Sequence, residues 1–364
     1  MNKKKLGDIL TFQRGFDLTR SQMKSGSIPV VGSSEIIGWH NESKSSAPNL
    51  LIGRSGTVGR PQFYNIDIWP HNTTLFVSDF HGNDPKFAYY FLQNFNLEDY
   101  ANSSGVPTLN RNFIEPLIVD YPEISSQQKI SRTLSTIDSK IELNNKINSE
   151  LEKMAKLIYE YWFVQFDFPD ENGKPYKSSG GKMVWNEKLK KDIPEKWKVK
   201  KVSDFLDVVT GKEDANFASE GGKYAYFTCG RKVLKCNDAV FSGKSVLIAG
   251  NGSFDVKYYN GKFNAYQRVY VLKPRDEKFI GLIYRSVVRN ISRFILGSQG
   301  SIVKFITKGD VENISILVPD NLELLTQLNS VLDMNQRNDF ESEQLVSLRD
   351  WLLPMLMNGQ VKLT

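Results

Sequence analysis

Apolar residues return three and four positions apart along residues 125–164, at Ile130, Leu134, Ile137, Ile141, Leu151, Ala155, Ile158 and Trp162, with Asn144 and Asn148 in the same seam. No proline or glycine interrupts the stretch, and its opening Ser125-Ser-Gln-Gln128 has the spacing of a capping box. The pattern predicts one continuous helix, about 58 Å long at 1.5 Å per residue, whose narrow stripe suits a helical partner. A second stripe over 322–357 offers that partner. Leu325, Leu328, Leu332 and Asn335 open it, Asn338, Asp339 and Ser342 make its middle polar, and Leu345, Leu348, Leu352 and Met355 resume it. Antiparallel pairing would set the two polar centres opposite each other and fix the register, because a buried amide is stabilised only when its partner is in step. Pro354 is expected to kink or end the second helix near its last turns. The plainer alternative is two ordinary long helices inside an α-domain.

Outside these rods the hydrophobic runs are short. Residues 50–52, 75–77, 246–248 and 269–272 alternate with Gly- and Asn-rich turns, the pattern of small antiparallel or barrel-like sheets, while 87–95 and 279–288 predict one helix each. The chain is also written twice. Lys5-Leu-Gly-Asp-Ile-Leu-Thr-Phe-Gln-Arg-Gly15 returns as Lys201-Val-Ser-Asp-Phe-Leu-Asp-Val-Val-Thr-Gly211, an offset of 196. Leu50-Leu-Ile-Gly-Arg-Ser-Gly56 answers Val246-Leu-Ile-Ala-Gly-Asn-Gly252, Ser104-Gly105 answers Gln299-Gly300, and Ile118-Val-Asp-Tyr-Pro122 answers Ile316-Leu-Val-Pro319. Each half is one β-rich globule followed by one rod, so paired rods give the chain pseudo-two-fold symmetry. The expected fold class is α+β: globules at 1–122 and 196–319, long helices at 123–166 and 320–364, and a Gly-, Ser- and Pro-containing linker at 167–195.

Charge sharpens this picture. Residues 1–120 are neutral, 121–194 carry +1, 195–318 carry +9 and 319–364 carry −4. A basic second globule beside an acidic tail points to a polyanion on one surface and a protein on another. With 364 residues and 40% hydrophobic content the chain can bury real cores. It has no run of ~18 apolar residues, and Met1-Asn-Lys-Lys-Lys5 leads into polar sequence, so a soluble cytoplasmic protein with no membrane contact is expected. Cys229 and Cys236 have no histidine nearby and read as two reduced thiols.

Catalytic patterns fail on inspection. Gly243-Lys-Ser245 lacks the glycine that a phosphate loop needs at position 238, which is Asp. Gly250-Asn-Gly252 lacks the third glycine of a dinucleotide fingerprint and reads as a hairpin turn. His40, His71 and His81 show no ligand spacing, and Asp170-Glu171 with Lys174 lies in the linker, where nothing would hold a metal. No Asn/Asp-Pro-Pro-Tyr/Phe stretch occurs either. The expectation is a non-catalytic chain.

Lys5-Leu-Gly-Asp8 opens the chain, Tyr161-Trp-Phe-Val-Gln-Phe-Asp-Phe-Pro169 closes the first rod, Met183-Val-Trp-Asn-Glu187 and Asp192-Ile-Pro-Glu-Lys-Trp197 enter the second globule, and Leu352-Leu-Pro-Met-Leu-Met-Asn-Gly-Gln-Val361 closes the second rod. In this order, over nearly the whole chain, they resemble the DNA specificity subunit of type I restriction-modification enzymes. The resemblance implies two target recognition domains, each reading half of a split double-stranded DNA site, separated by two long antiparallel coiled-coil helices that act as a ruler. It also implies two modification subunits that use S-adenosylmethionine to methylate an adenine in each half. The resemblance further implies that a restriction subunit using ATP and Mg²⁺ can join, and that this chain itself binds no cofactor.

Because the chain is its own comparison, segments that differ between the halves are free to read different bases: 14–48 against 212–244, 57–71 against 253–265, and 101–112 against 295–308. Arg and Lys suit guanine edges or phosphates, and Asn and Gln suit adenine. The candidates, in or beside these segments, are Arg14, Arg20, Lys24, Arg54, Arg60, Asn72 and Arg111 in the first half. In the second they are Lys212, Lys223, Arg231, Lys232, Asn251, Lys257, Gln267, Arg268 and Lys304. Two other classes of function compete with this reading. One is a self-sufficient methyltransferase or nuclease with two recognition domains; the other is a coiled-coil scaffold that binds only proteins.

Overall fold

A computed structural model describes residues 2–102, 106–297, 305–361 and 363. The chain divides into two compact units, Met1–Glu142 with Ser342–Thr364, and Leu143–Glu341, so each unit holds one globule and part of both long helices.

In the first unit Asn2–Lys5 pairs antiparallel with Ile118–Tyr121. A four-stranded sheet runs in the order Thr11–Arg14, Thr74–Asp79, Asn49–Gly53, Pro61–Tyr64, and a three-stranded one in the order Ile36–His40, Ile28–Val31, Trp69–Pro70. Asn49–Gly53 takes an interior place because every one of its residues is buried. The helix Pro85–Gln93 starts where Asp84 accepts the Phe87 N–H and Pro85 needs no partner. Its Phe87 and Phe91 pack edge-on against Tyr121. The same core takes Ile130 and Leu134 from the first long helix and Leu356 and Met357 from the second.

The second unit repeats this plan. Lys198–Lys201 pairs with Ser315–Val318. One six-stranded sheet has the order Val209–Thr210, Val269–Leu272, Phe241–Ala249, Val256–Ala265, Tyr224–Phe227, Leu234–Cys236. The repeat extends to single backbone bonds. Leu6 N–H to Leu117 O and Val202 N–H to Ile314 O correspond, as do Gly15 N–H to Thr74 O and Gly211 N–H to Val269 O, and Leu109 N–H to Arg54 O and Ile306 N–H to Gly250 O. Gly15 and Gly211 share a physical requirement: an added Cβ would lie 2.1 Å from His71 O at the first and 1.9 Å from Ala265 O at the second. The units differ where Asn65-Ile-Asp67 breaks the strand that stays continuous as Val256–Ala265, and this splits the first sheet in two.

The long helices span Ile124–Tyr159, continued by a π-helical turn Glu160–Val164, and Leu324–Met357. The first unit has an Arg349 to Asp138 bond of 3.0 Å. In the second, Asn144 donates to Asn338 O and Glu341, while Asn148, four residues further on, donates to Asn335 O and Asp339 and accepts from Asn338. Advance on one helix meets retreat on the other, so the pairing is antiparallel, and the amides lock its register. The seam residues Ile130, Leu134, Ile137, Asn144, Leu325, Leu328 and Leu332 are buried, and Ile141, Asn148, Leu151, Ile158, Asn335, Leu345 and Leu352 are half-buried. Replacing Asn148 by Leu should cost about 1–2 kcal/mol, because the Asn338 amide is left unpaired. Adding Asn338→Leu should recover most of that loss, and a double-mutant cycle of urea midpoints checks it.

Three local expectations are corrected. Leu348 is 43% exposed, and the seam instead runs Ser342, Leu345, Arg349, Leu352, Leu356, which keeps phase with Asn335 and Asn338. Arg349 can sit there because its stem is apolar while its head bonds Asp138 and Asp350. The capping box at Ser125 and Gln128 gives way to an earlier start: Ser125 lies within the first turn, Glu123 O accepts the Ser126 and Gln127 N–H groups, and buried Gln127 bonds Pro122 O, Asn83 and Asp84 N–H. Pro354 lies in the last turn of the second helix, which ends three residues later, as expected. The helix expected over 279–288 is longer, Ile280–Gly297, because Ile291 and Phe294 continue the buried face of Ile283 and Val287.

The 167–195 segment packs closely. Met183–Asn186 and Lys191–Pro194 form a hairpin, and Phe163, Phe166 and Phe168 converge on Trp197 with ring centroids 5.2, 5.7 and 4.8 Å away. The aromatic motif that closes the first rod and the Trp that enters the second globule thus form one cluster in the second unit.

Candidate nucleic-acid interface

In the first unit the structure draws four candidates together. The turn after Thr11–Arg14 lies beside 71–74 through the Gly15 contact, and the Arg14 Nη2 donates to Asp17 Oδ1 at 3.0 Å. The same oxygen accepts from the Asn72 amide. Arg54 donates to Asn72 O at 3.4 Å, and Arg111 donates to Phe12 O at 3.0 Å. Arg14 and Arg111 line one open depression of about 520 Å³ with Gln13 and Ser78. Nearby His71 is held below the ordinary imidazole range by burial, so it adds no charge at neutral pH.

The other three lie elsewhere. Arg20 and Lys24 are exposed on and after the turn Arg20–Gln22, where the Lys24 N–H bonds His40 Nδ1. Arg60 is exposed and within electrostatic reach of Tyr89 on the helix Pro85–Gln93.

The second unit gathers five of its nine candidates at one end of the sheet. The 228–233 turn carries exposed Arg231 and Lys232, and its Cys229 O accepts the Ser253 N–H at 3.2 Å. Arg268 O accepts from both Gly250 N–H and Cys229 Sγ. Arg231, Lys232, Asn251 and Arg268 therefore belong to one set of touching loops. Lys257 lies among them but is turned inward. Its ammonium donates to Gly230 O at 2.9 Å and so braces the turn, and burial lowers its pKa despite Asp255. Lys212 and Gln267 form a second exposed group, tied by Gln267 N–H to Glu213 O. Lys223 stands apart at the opposite end of Tyr224–Phe227, over the Tyr224 ring. Lys304 lies outside the described residues.

Each globule is fixed to its helices by a tyrosine, an aspartate and a cation. In the first unit Asp138 accepts from Tyr90 and Arg349. In the second Asp333 accepts from Tyr258 at 2.6 Å and Lys244 at 2.8 Å, and Gln336 exchanges two 2.8 Å bonds with the Asn260 backbone. Burial alone would raise the Asp333 pKa, but the bonds from Lys244 and Tyr258 outweigh it and hold the carboxyl below its ordinary value. Its stabilising effect is therefore present above about pH 4 and fades as pH falls through the lowered value. Asp333→Asn should lower the urea midpoint at pH 7, and the gap from the parent chain should close as the titration proceeds below pH ~4.

Sequence reasoning missed Asp17, although its i+3 spacing from Arg14 was the available signal. Among the described residues no group of three or more His, Cys, Asp or Glu could hold a metal ion, and no helix is long and apolar enough to cross a membrane.

The family model described as "Type I restriction modification DNA specificity domain" matches residues 1–153 and 194–332. The chain is 35% identical over 176 residues to the type I restriction enzyme EcoDI specificity subunit of Escherichia coli, spanning 46% of this chain and 39% of that protein. To the MjaIX specificity subunit of Methanocaldococcus jannaschii it is 24% identical over 311 residues, spanning 76% of this chain and 69% of the other. The crystal structure of the type I restriction-modification S subunit from M. genitalium shares the fold, with a TM-score of 0.68 and 16% identity, covering 98% of this chain and 95% of that one.

Proposed function

The chain belongs to the type I restriction-modification DNA specificity family, and from that premise we propose that its two globules each read one half of a bipartite double-stranded DNA target while the paired helices set the gap. One observation carries this reading. Three backbone bonds of the scaffold recur at corresponding positions in the two units, whereas most of the basic and amide candidates stand in or beside the segments where the units differ. Shared scaffold with divergent loops is what two readers of different bases require. Base pairs between the halves would matter through shape and bending alone.

The chemistry, on this reading, is borrowed. Two modification subunits carrying S-adenosylmethionine methylate an adenine in each half, and a restriction subunit, where one joins, supplies ATP- and Mg²⁺-dependent cleavage in the cytoplasm. The long helices offer such partners an apolar surface. In the second unit Leu143, Ile147, Met154 and Leu157 are exposed along the outer side of the first helix, Leu157 by 69%. In the first, Leu348 and Trp351 are exposed on the second helix.

Replacing Arg231 by Ala tests the reading assignment. It should cost about 1–3 kcal/mol of binding and relax preference at one position of one half-site. A lysine that contacts only phosphate should weaken all sequences alike and reduce the salt slope by about one unit. Uniform loss for every substitution in these loops would remove the base-reading claim. Turnover by the purified chain alone with DNA, Mg²⁺ and S-adenosylmethionine would replace it with a self-sufficient enzyme.

A further inference from the structure

We propose that Asp17 is a positioning residue of the first unit's reader, a proposal that rests on the DNA-reading function above. An acidic side chain on a surface that meets a polyanion is repulsive, and an exposed ion pair such as Arg14–Asp17, with side chains 53% and 71% exposed, contributes little to stability. Neither affinity nor folding accounts for it. Its geometry does, because one oxygen, Oδ1, receives both the Arg14 Nη2 and the Asn72 Nδ2.

Arg14 and Asn72 come from segments far apart in sequence, and the carboxylate joins them into one unit. An ionised carboxylate only accepts, so it fixes which end of the Asn72 amide faces it. The carbonyl oxygen and the second N–H of Asn72 then remain as a set acceptor–donor pair, the pattern complementary to the adenine major-groove edge. Arg14 keeps Nη1 and Nε for a guanine edge or a phosphate, with its fork held from one side. Arg54 supports the arrangement through the Asn72 backbone oxygen, and Arg111 lines the same depression as Arg14. The corresponding position of the second unit is Glu213, whose backbone oxygen instead holds the Gln267 N–H. Asp17 therefore belongs to the specificity of the first half-site alone. It lowers general affinity for DNA and raises selectivity.

The test uses the full chain with duplexes that carry its target, single-base changes in either half, or unrelated sequence. Asp17→Asn, which removes the charge, should tighten binding to unrelated DNA severalfold while discrimination against first-half changes falls at least tenfold; discrimination in the second half should stay intact. Asp17→Glu should restore part of the discrimination. Asn72→Ala should lose first-half discrimination without any gain on unrelated DNA, which also covers the case in which Asp17→Asn folds poorly. Proportional change by Asp17→Asn on every duplex, in either direction, would reduce Asp17 to a surface charge and overturn the proposal, as would full discrimination in Asn72→Ala. A parent chain that binds its target no better than unrelated DNA would instead overturn the DNA-reading function itself.

Discussion

Removing one heptad from the polar middle of both long helices together is expected to shorten the gap between the two half-sites by about three base pairs, with the bases read in each half unchanged. Seven residues are about 10.5 Å of helix and a base-pair step is about 3.4 Å. Two nearly complete turns leave the seam phase almost intact, since the drift is about 20° per heptad. Both helices must change together, because Asn148 and Asn338 bond each other and a deletion in one alone would set an amide against an apolar partner. Three base pairs also rotate the duplex by about 100°, so the shortened reader must twist or bend its DNA. Affinity should fall while the two recognised half-sequences persist. Methylation-sensitive sequencing of a host that carries the shortened chain reads the gap directly, and an unchanged gap would show that the helices do not measure it.

The second large effect concerns Glu152. It receives both terminal nitrogens of Arg285, at 2.6 and 2.8 Å, and Arg285 is only 5% exposed in the second unit's core. Glu152→Ala leaves that guanidinium buried without its counter-charge, which should cost about 3 kcal/mol. Arg285→Met removes the charge and keeps an apolar stem, so it should cost clearly less. Urea unfolding of the full chain checks the order. The second unit's transition should move to lower urea in Glu152→Ala, while the first unit, which contains neither residue, should stay in place.

Much of the scaffold was legible in the sequence because it rests on periodicity and repetition. The seam from Ile130 to Ile158 and the recurrence of Leu6 and Gly15 as Val202 and Gly211 both follow from spacing that a packed core must respect. What escaped depends on competition between neighbours. Leu348 looked like a seam residue by hydropathy, yet the three-four phase from Asn335 onward selects Arg349, whose charge is matched by Asp138 over 200 residues away in the chain. The 167–195 segment has linker composition, but Phe166, Phe168 and Trp197 give it a core of its own. Among candidate readers, residue type put forward Arg14 and Asn72, which the structure brings onto one carboxylate oxygen of Asp17. It could not separate Arg231, which is exposed, from Lys257, which is spent on Gly230 O, because that difference arises only when separate loops meet.

A duplicated reader whose two halves recognise separate DNA sequences at a set distance must leave its mark on the host genome. Methylation-sensitive sequencing before and after deletion of this chain reads that mark. A split motif with one modified adenine in each half should disappear on deletion and return with the intact chain. A genome whose methylation is unchanged by the deletion, or a lost motif that is continuous with no unread gap, would contradict it.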